Sequence, residues 1–389
     1  MVLEMRDVPE RAILVGFGPR QTPPGQLDAS LDELTRLVET ADGRVAGRVV
    51  QRGRPHPAHL IGTGKLAEIG RMSNETHADL IVFDDELSPS QIANLEERLD
   101  CKVLDRSMLI LAIFARHAHT KEAKTQVELA QYQYLYPRLS GHWTHMTRHV
   151  GGIGTRGPGE TQLETDRRLV GQRIQRLKER LKLIDKERAV QRRGRNDLFR
   201  AVMVGYTNAG KSTLFNRLTR SRVWAADRLF CTLDPTSRTL AHGGRRIVLT
   251  DTIGFIRKLP ATVFAAFRAT LAEVTAADLI LVVVDYADPN YRETLDEVER
   301  SLGEINADQN RRLYVLNKID LLNGAPNESS PTGLPAGEVV AVSATDGIGI
   351  DRLVAAIVEE ADRCRTGADD RRARTAKARV RYERRPPTE

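Results

Sequence analysis

The sequence predicts an α/β protein with two mostly parallel sheets, each flanked by helices, and an antiparallel helical-hairpin arm between them. Three observations carry this. Short apolar runs alternate with amphipathic stretches before residue 105. Narrow apolar seams at helical spacing follow. From Leu198 the alternation resumes, with a glycine-rich turn between a strand and a helix. A chain of 389 residues is also too long for one ordinary core.

In order, Ala12-Ile13-Leu14-Val15 reads as a buried strand. Ser30-x-x-Glu33 reads as a capping box opening a helix, with Leu31, Leu34, Leu37 and Val38 on one face. Val45 to Val50 is a second strand, and Lys65 to Met72 a helix entered through Gly62-Thr63-Gly64. Leu80 to Phe83 is a third strand. Ser88-Pro89-Ser90-Gln91 is a second capping box, with proline at the first helical position. Its helix runs to Leu99, and Lys102 to Leu104 is a fourth strand. The order βαβαβαβ implies a small parallel sheet with helical crossovers, a domain of residues 1–105. Gly62-Thr63-Gly64-Lys65 invites a phosphate-site reading but lacks the spacer for one, so a structural turn is expected.

Thr120 can cap a helix with Ala123, Val127, Ala130 and Tyr134 on one seam. Leu163, Val170, Ile174, Leu177, Leu181 and Ile184 form a second. Each narrow seam needs a partner, so residues 106–196 are expected to form a hairpin arm. Its tip, residues 140–160, interleaves Trp143, His145, Arg148 and Arg156 with glycines. Stacking rings and cations on flexible backbone suit irregular RNA, and this reading is preferred to a plain linker. A metal site from His142, His145 and His149 is disfavoured, because no cysteine or rigid frame accompanies them.

The net charge of +7 favours an anionic partner. From Arg365 to Glu389 nine Lys/Arg stand against four Asp/Glu, so a basic, disordered tail is expected over residues 365–389. Cys101, Cys231 and Cys364 are an odd, scattered set, expected as reduced thiols in a cytoplasmic protein. No apolar run has transmembrane length, and the first ten residues show no signal-peptide pattern.

The chemistry lies in residues 197–364. Gly205-Tyr206-Thr207-Asn208-Ala209-Gly210-Lys211-Ser212 follows an apolar strand and precedes a helix beginning near Thr213. That is the context of a phosphate-binding loop, whose N–H groups, Lys211 cation and helix N-terminus face phosphates. Ser212 and a threonine, Thr232 or Thr236, are candidate Mg2+ ligands. Asp251 would act on the ion through water, and the Gly254 N–H can reach the γ-phosphate. Asn317-Lys318-Ile319-Asp320 selects the base. The Asp320 carboxylate can accept from the ring N–H and exocyclic amine of guanine, and adenine would leave it unsatisfied. Ser343-Ala344-Thr345 places backbone donors near the guanine carbonyl. Each motif is weak alone, but in this order, each after an expected strand, they specify a P-loop GTPase domain that uses GTP and Mg2+.

At this point the chain resembles the translation-factor-like GTPases and, among them, the HflX family. The resemblance is carried by Gly152-Ile153-Gly154-Thr155-Arg156-Gly157-Pro158-Gly159-Glu160-Thr161-Gln162-Leu163-Glu164, by Phe230-Cys231-Thr232-Leu233-Asp234-Pro235-Thr236, by Asp251-Thr252-Ile253-Gly254-Phe255-Ile256-Arg257 and by Ile61-Gly62-Thr63-Gly64-Lys65. It implies a ribosome-associated GTPase that binds the large ribosomal subunit and its rRNA, with the arm tip near the peptidyl-transferase centre; a monomer is expected. It also implies the splitting of stalled or idle ribosomes under stress, and favours Thr232 over Thr236 as the sensing threonine. Some family members carry a further folded domain after the GTPase domain, where this chain has the basic segment. Phe255 stands where Ras-like enzymes place a water-orienting glutamine, so intrinsic hydrolysis is expected to be slow and ribosome-stimulated. The rival expectations are a ribosome-assembly GTPase and an ATP-dependent RNA-remodelling enzyme.

Overall fold

Ala12 to Val15 are fully buried because the strand they form has a neighbour on each side. β1 (Arg11–Gly18) lies between β2 (Arg44–Arg52) and β3 (Leu80–Phe83), and β4 (Lys102–Asp105) flanks β3. All pairings in this sheet are parallel, as three helical crossovers require. The crossovers are α1 (Gln26–Thr40), α2 (Thr63–Thr76) and α3 (Pro89–Leu99). The computed structural model describes residues 9–23, 25–139, 158–193, 198–221, 229–230, 233–258, 268–322 and 338–364. Trp143, His145, Arg148 and Arg156, expected to contact RNA, the threonine Thr232 and the segment 365–389 lie outside the described residues.

One of the two capping boxes forms and the other does not. Ser88 accepts from the Gln91 N–H at 3.2 Å, and Gln91 accepts from the Ser88 N–H at 2.9 Å. α1 instead starts a turn earlier than expected, behind Gly25 at φ 86°. Ser30 lies inside it and donates to Asp84 at 2.6 Å. The buried carboxylate competes successfully for that hydroxyl, because leaving it short of donors costs more than a missing cap.

α4 (Arg106–His117) leaves β4 directly, capped by Asp105, which accepts from the Met108 N–H at 2.9 Å. It packs against α1 and α5 (Lys121–Leu135), burying Leu109, Ile110, Ile113 and Phe114. Thr120 caps α5 as expected, accepting from the Ala123 N–H at 3.1 Å. α6 (Pro158–Arg193) has 36 residues. Leu177 is buried on its seam, and Val170, Ile174, Leu181 and Ile184 are half-buried. Arg173 donates to Glu128 at 2.8 Å, and Arg167 lies over the Tyr136 ring at 5.5 Å. Rising numbers on one helix meet falling numbers on the other, so α5 and α6 run antiparallel.

The chain forms two compact units. The first comprises Met1–Arg192 with Asp227–Asp234 and Arg257–Ala269, and the second holds the remainder. Within the first, Asp234 accepts from the His119 and Thr120 N–H groups at 3.2 and 3.1 Å, and Phe230 meets Phe114 edge-on at 4.7 Å. Lys258 donates to Asp84 at 2.6 Å and to Asp85 at 2.7 Å. Arg106, 1% exposed, donates to Asp84 at 2.8 Å, to Glu33 and to the Arg257 carbonyl at 2.9 Å.

The second unit is a six-stranded sheet in the order β10-β9-β8-β5-β7-β6. Its strands are β5 (Phe199–Gly205), β6 (Thr236–His242), β7 (Arg245–Asp251), β8 (Leu279–Asp285), β9 (Arg311–Asn317) and β10 (Glu338–Ala341). Only β6 is antiparallel to its neighbour. β6 carries no apolar run of its own, since most of its residues are exposed at the sheet edge. Gly243 and Gly244, at φ 55° and 75°, form the two-residue turn that folds β6 back on β7. The helices are α7 (Lys211–Thr219), α8 (Arg268–Thr275, in this unit from Thr270 on), α9 (Tyr291–Glu304) and α10 (350–364). No helix among the described residues is long and apolar enough to cross a membrane.

Candidate nucleotide site

Every described motif residue lies at or beyond the carboxyl end of a strand in the second sheet, where an open α/β sheet presents its loops. Gly205 ends β5, and Tyr206, Thr207, Asn208 and Ala209 form the turn. Gly210 precedes α7, whose first turn holds Lys211, Ser212 and Thr213. Both glycines are required by close packing. A Cβ on Gly205 would lie 2.2 Å from the Val283 carbonyl oxygen of β8. A Cβ on Gly210, at φ 88°, would lie 2.2 Å from the Asn317 amide nitrogen.

Lys211 is 6% exposed and donates to the carbonyls of Gly205 at 3.1 Å and Tyr206 at 2.7 Å. Its ammonium therefore sits across the mouth of the loop, above the N-terminus of α7. Ser212 donates to Asp251 at 2.7 Å. Asp251 is fully buried at the end of β7, so the hydroxyl and the carboxylate expected around a divalent cation are brought together across 39 positions of sequence. That oxygen pair suits Mg2+, which favours oxygen ligands and retains waters.

The D-x-x-G stretch is stitched to the loop. The Phe255 N–H donates to the Gly205 carbonyl at 3.0 Å, and the Thr207 N–H donates to the Phe255 carbonyl at 2.7 Å. Thr252 donates to the Met203 carbonyl at 2.7 Å, while Gly254 is close-packed between Lys211 and Thr207. Phe255 is 2% exposed, so its side chain packs inside the unit and has no polar group with which to orient water.

On the base side, Asn317 ends β9 and is 2% exposed. Its amide donates to the Ala209 carbonyl at 2.9 Å and accepts from the Ala344 N–H at 3.1 Å. It thus ties the phosphate loop to the Ser343-Ala344-Thr345 loop, a framing role. The Ser343 N–H goes to the Ile348 carbonyl at 3.0 Å. Lys318 has φ 66°, which a residue with a Cβ adopts at a cost of about 1 kcal/mol. Asp320 follows, exposed, in the short 3-10 turn Ile319–Leu321.

Two further side chains, outside the motifs, support these loops. Asp285, at the end of β8, pairs with Lys318 at 2.7 Å. Arg217 on α7 donates to the Thr345 carbonyl at 2.6 Å. Asp285 had a visible signal, an acid closing the apolar run Leu279 to Val284. Arg217 had none, since only the fold brings it to residue 345.

Three family models tile the chain. Residues 28–115 match a GTP-binding GTPase N-terminal region, 117–195 a GTP-binding GTPase middle region and 200–318 a 50S ribosome-binding GTPase. GTPase HflX of Escherichia coli (strain K12) is 46% identical over 359 residues, covering 91% of this chain and 83% of that relative. GTPase HflX of Flavobacterium psychrophilum is 48% identical over 312 residues, covering 80% and 76%. Among solved structures, the complex of SsGBP with GDP has a TM-score of 0.51 and 27% identity, covering 91% of this chain and 99% of that one. Fold and site together define a P-loop GTPase, an enzyme that binds guanine nucleotide and hydrolyses GTP. Its GTPase sheet falls within the ribosome-binding class, and the chain belongs to the HflX family.

Proposed function

We propose that this GTPase binds the large ribosomal subunit and uses GTP to separate stalled or idle ribosomes, notably under stress. The observation that carries the nucleotide half of the reading is the Ser212–Asp251 pair at 2.7 Å beside the Lys211 ammonium. The match of residues 200–318 to a 50S ribosome-binding GTPase supports the partner.

Phosphoryl transfer needs positioning and charge neutralisation more than covalent help. Lys211 and the loop N–H groups hold the β- and γ-phosphates. Ser212 and Thr232 would ligate Mg2+ and Asp251 would hold one of its waters; when bound, the ion would supply positive charge beside the phosphate oxygens. The Gly254 N–H faces the γ-phosphate, and Asp320 accepts from guanine. Phe255 orients no water, so hydrolysis is slow until the ribosome supplies the missing group.

The working division is an N-terminal α/β domain (1–105), an arm (106–196), a GTPase domain (197–364) and a basic tail (365–389). The arm carries Trp143, His145, Arg148 and Arg156 to rRNA. The protein acts as a cytoplasmic monomer. Sedimentation of intact ribosomes with the protein and GTP, or a non-hydrolysable analogue, tests the reading. The expected result is loss of the intact-ribosome peak with at least one of the two nucleotides. Unchanged peaks with both, together with binding to immature subunits, would replace splitting by an assembly role.

A further inference from the structure

Guanine selection falls to Asp320, yet Asp320 sits on an exposed turn that enters through a left-handed residue. Glycine is the usual occupant of such a position, because it has no Cβ to clash. Here the residue is Lys318, and a specific contact holds it. Its ammonium lies 2.7 Å from Asp285 Oδ2, each side chain 25% exposed.

Asp285 is itself fixed on three sides. Residues 279–284 before it are buried in β8, so its carboxylate emerges only at the carboxyl end of the sheet. It stands in register with Asn317 of β9. Beyond it the Tyr286 N–H donates to the Asn317 carbonyl at 2.9 Å, and Asp285 Oδ1 accepts from the Ala287 N–H at 3.2 Å. One carboxylate oxygen therefore closes its own turn while the other grips Lys318. The anchor is rigid and Lys318 hangs from it, two residues before Asp320.

We propose that Asp285 is a positioning residue for guanine selection, holding Lys318 so that the turn presents the Asp320 carboxylate to the ring N–H and exocyclic amine of the base. This rests on the guanine reading of the site. The phosphate end has its own supports in Gly205, Gly210 and the Asn317 side chain, none of them made by the Asp285 carboxylate. A loosened turn should therefore weaken the contacts made by Asp320 and spare those made by the loop.

Inosine diphosphate separates the two, since it lacks the exocyclic amine and is otherwise alike. Equilibrium affinities for GDP, IDP and ADP are measured on the full chain, wild type, D285N and D285E. Wild type is expected to prefer GDP to both others. D285N keeps the shape of the side chain but removes the charge. It is expected to bind GDP about tenfold more weakly, the scale of one charge-assisted hydrogen bond, while IDP loses less and the GDP-to-IDP preference shrinks. D285E restores a carboxylate within reach of Lys318 and should recover most of the preference. It also carries the test if D285N fails to fold, because a collapsed preference in a folded D285E would overturn the proposal. Equal loss for GDP and IDP in D285N, or no loss, would reduce Asp285 to a structural residue. A wild type that fails to prefer GDP over ADP would instead count against the guanine reading.

Discussion

Replacing Arg106 with leucine should be felt throughout the first sheet. Arg106 and Asp84 are each 1% exposed, and their side chains meet at 2.8 Å. Arg106 also holds Glu33 and the Arg257 carbonyl. Breaking a buried ion pair from one side costs about 3–5 kcal/mol, because the remaining charge stays buried. Asp84 would keep Lys258 and Ser30, each at 2.6 Å, so the lower end, about 3 kcal/mol, is expected. That is roughly a hundredfold in the opening equilibrium. With two compact units, a single unfolding midpoint would mix two transitions. Hydrogen exchange resolves them, and amides of β1 and β3 should lose about a hundredfold in protection while those of β8 and β9 are unchanged. Arg116→Leu is the control, since its pair with Asp42 is about half exposed and worth at most about 1 kcal/mol.

The same variant carries a pH signature. Burial pushes the Asp84 carboxyl up, against the pull of Lys258. Without Arg106 it should rise further. A carboxyl whose folded pKa is raised contributes stability that is full below the unfolded value and lost as pH rises through the folded one. The deficit of Arg106→Leu should therefore shrink in acid. A loss of less than about fivefold, or an equal loss in both units, would refute the buried-pair argument.

Two further outcomes follow from the second unit. Gly205→Ala places a methyl 2.2 Å from the Val283 carbonyl oxygen, a backbone atom inside the sheet. It should distort the loop and abolish measurable GDP binding, while retained affinity would show that the loop can shift. Burial alone would raise the Glu360 carboxyl, but Arg311 and Arg363, at 2.7 and 2.6 Å, outweigh it and hold it below the usual carboxylate range. A depressed carboxylate stabilises above its unfolded pKa and loses that contribution as pH falls through the folded one. Glu360→Gln should therefore lower the hydrogen-exchange protection of β9 amides at neutral pH and match wild type in strong acid. A gap independent of pH would exclude the charge as its cause.

Local signals were read well where nothing distant competed. Ser88 and Thr120 cap their helices because the groups they bond are three residues away. The Ser30 box carried the same signal and failed, because Asp84, 54 positions on, takes the hydroxyl. β6 has no apolar run, and its mark in the sequence is the Gly243-Gly244 turn. α4 is apolar on several sides, so Arg106 to His117 has no clean seam to mark it, because it is covered from several sides.

The sequence by itself pointed to a guanine nucleotide and set the order of the motifs. Phosphate loop, D-x-x-G, N-K-x-D and Ser343-Ala344 are each contiguous, and short-range geometry dictates their residue types. It also determined the apolar runs that become the strands behind them. Only the tertiary structure decided what holds those loops in place. Asn317 joins residues 209 and 344, Ser212 meets Asp251, and Asp285 grips Lys318. Such contacts are made by single polar atoms across the carboxyl ends of neighbouring strands. No periodicity announces them, because strand order, not sequence order, makes them neighbours.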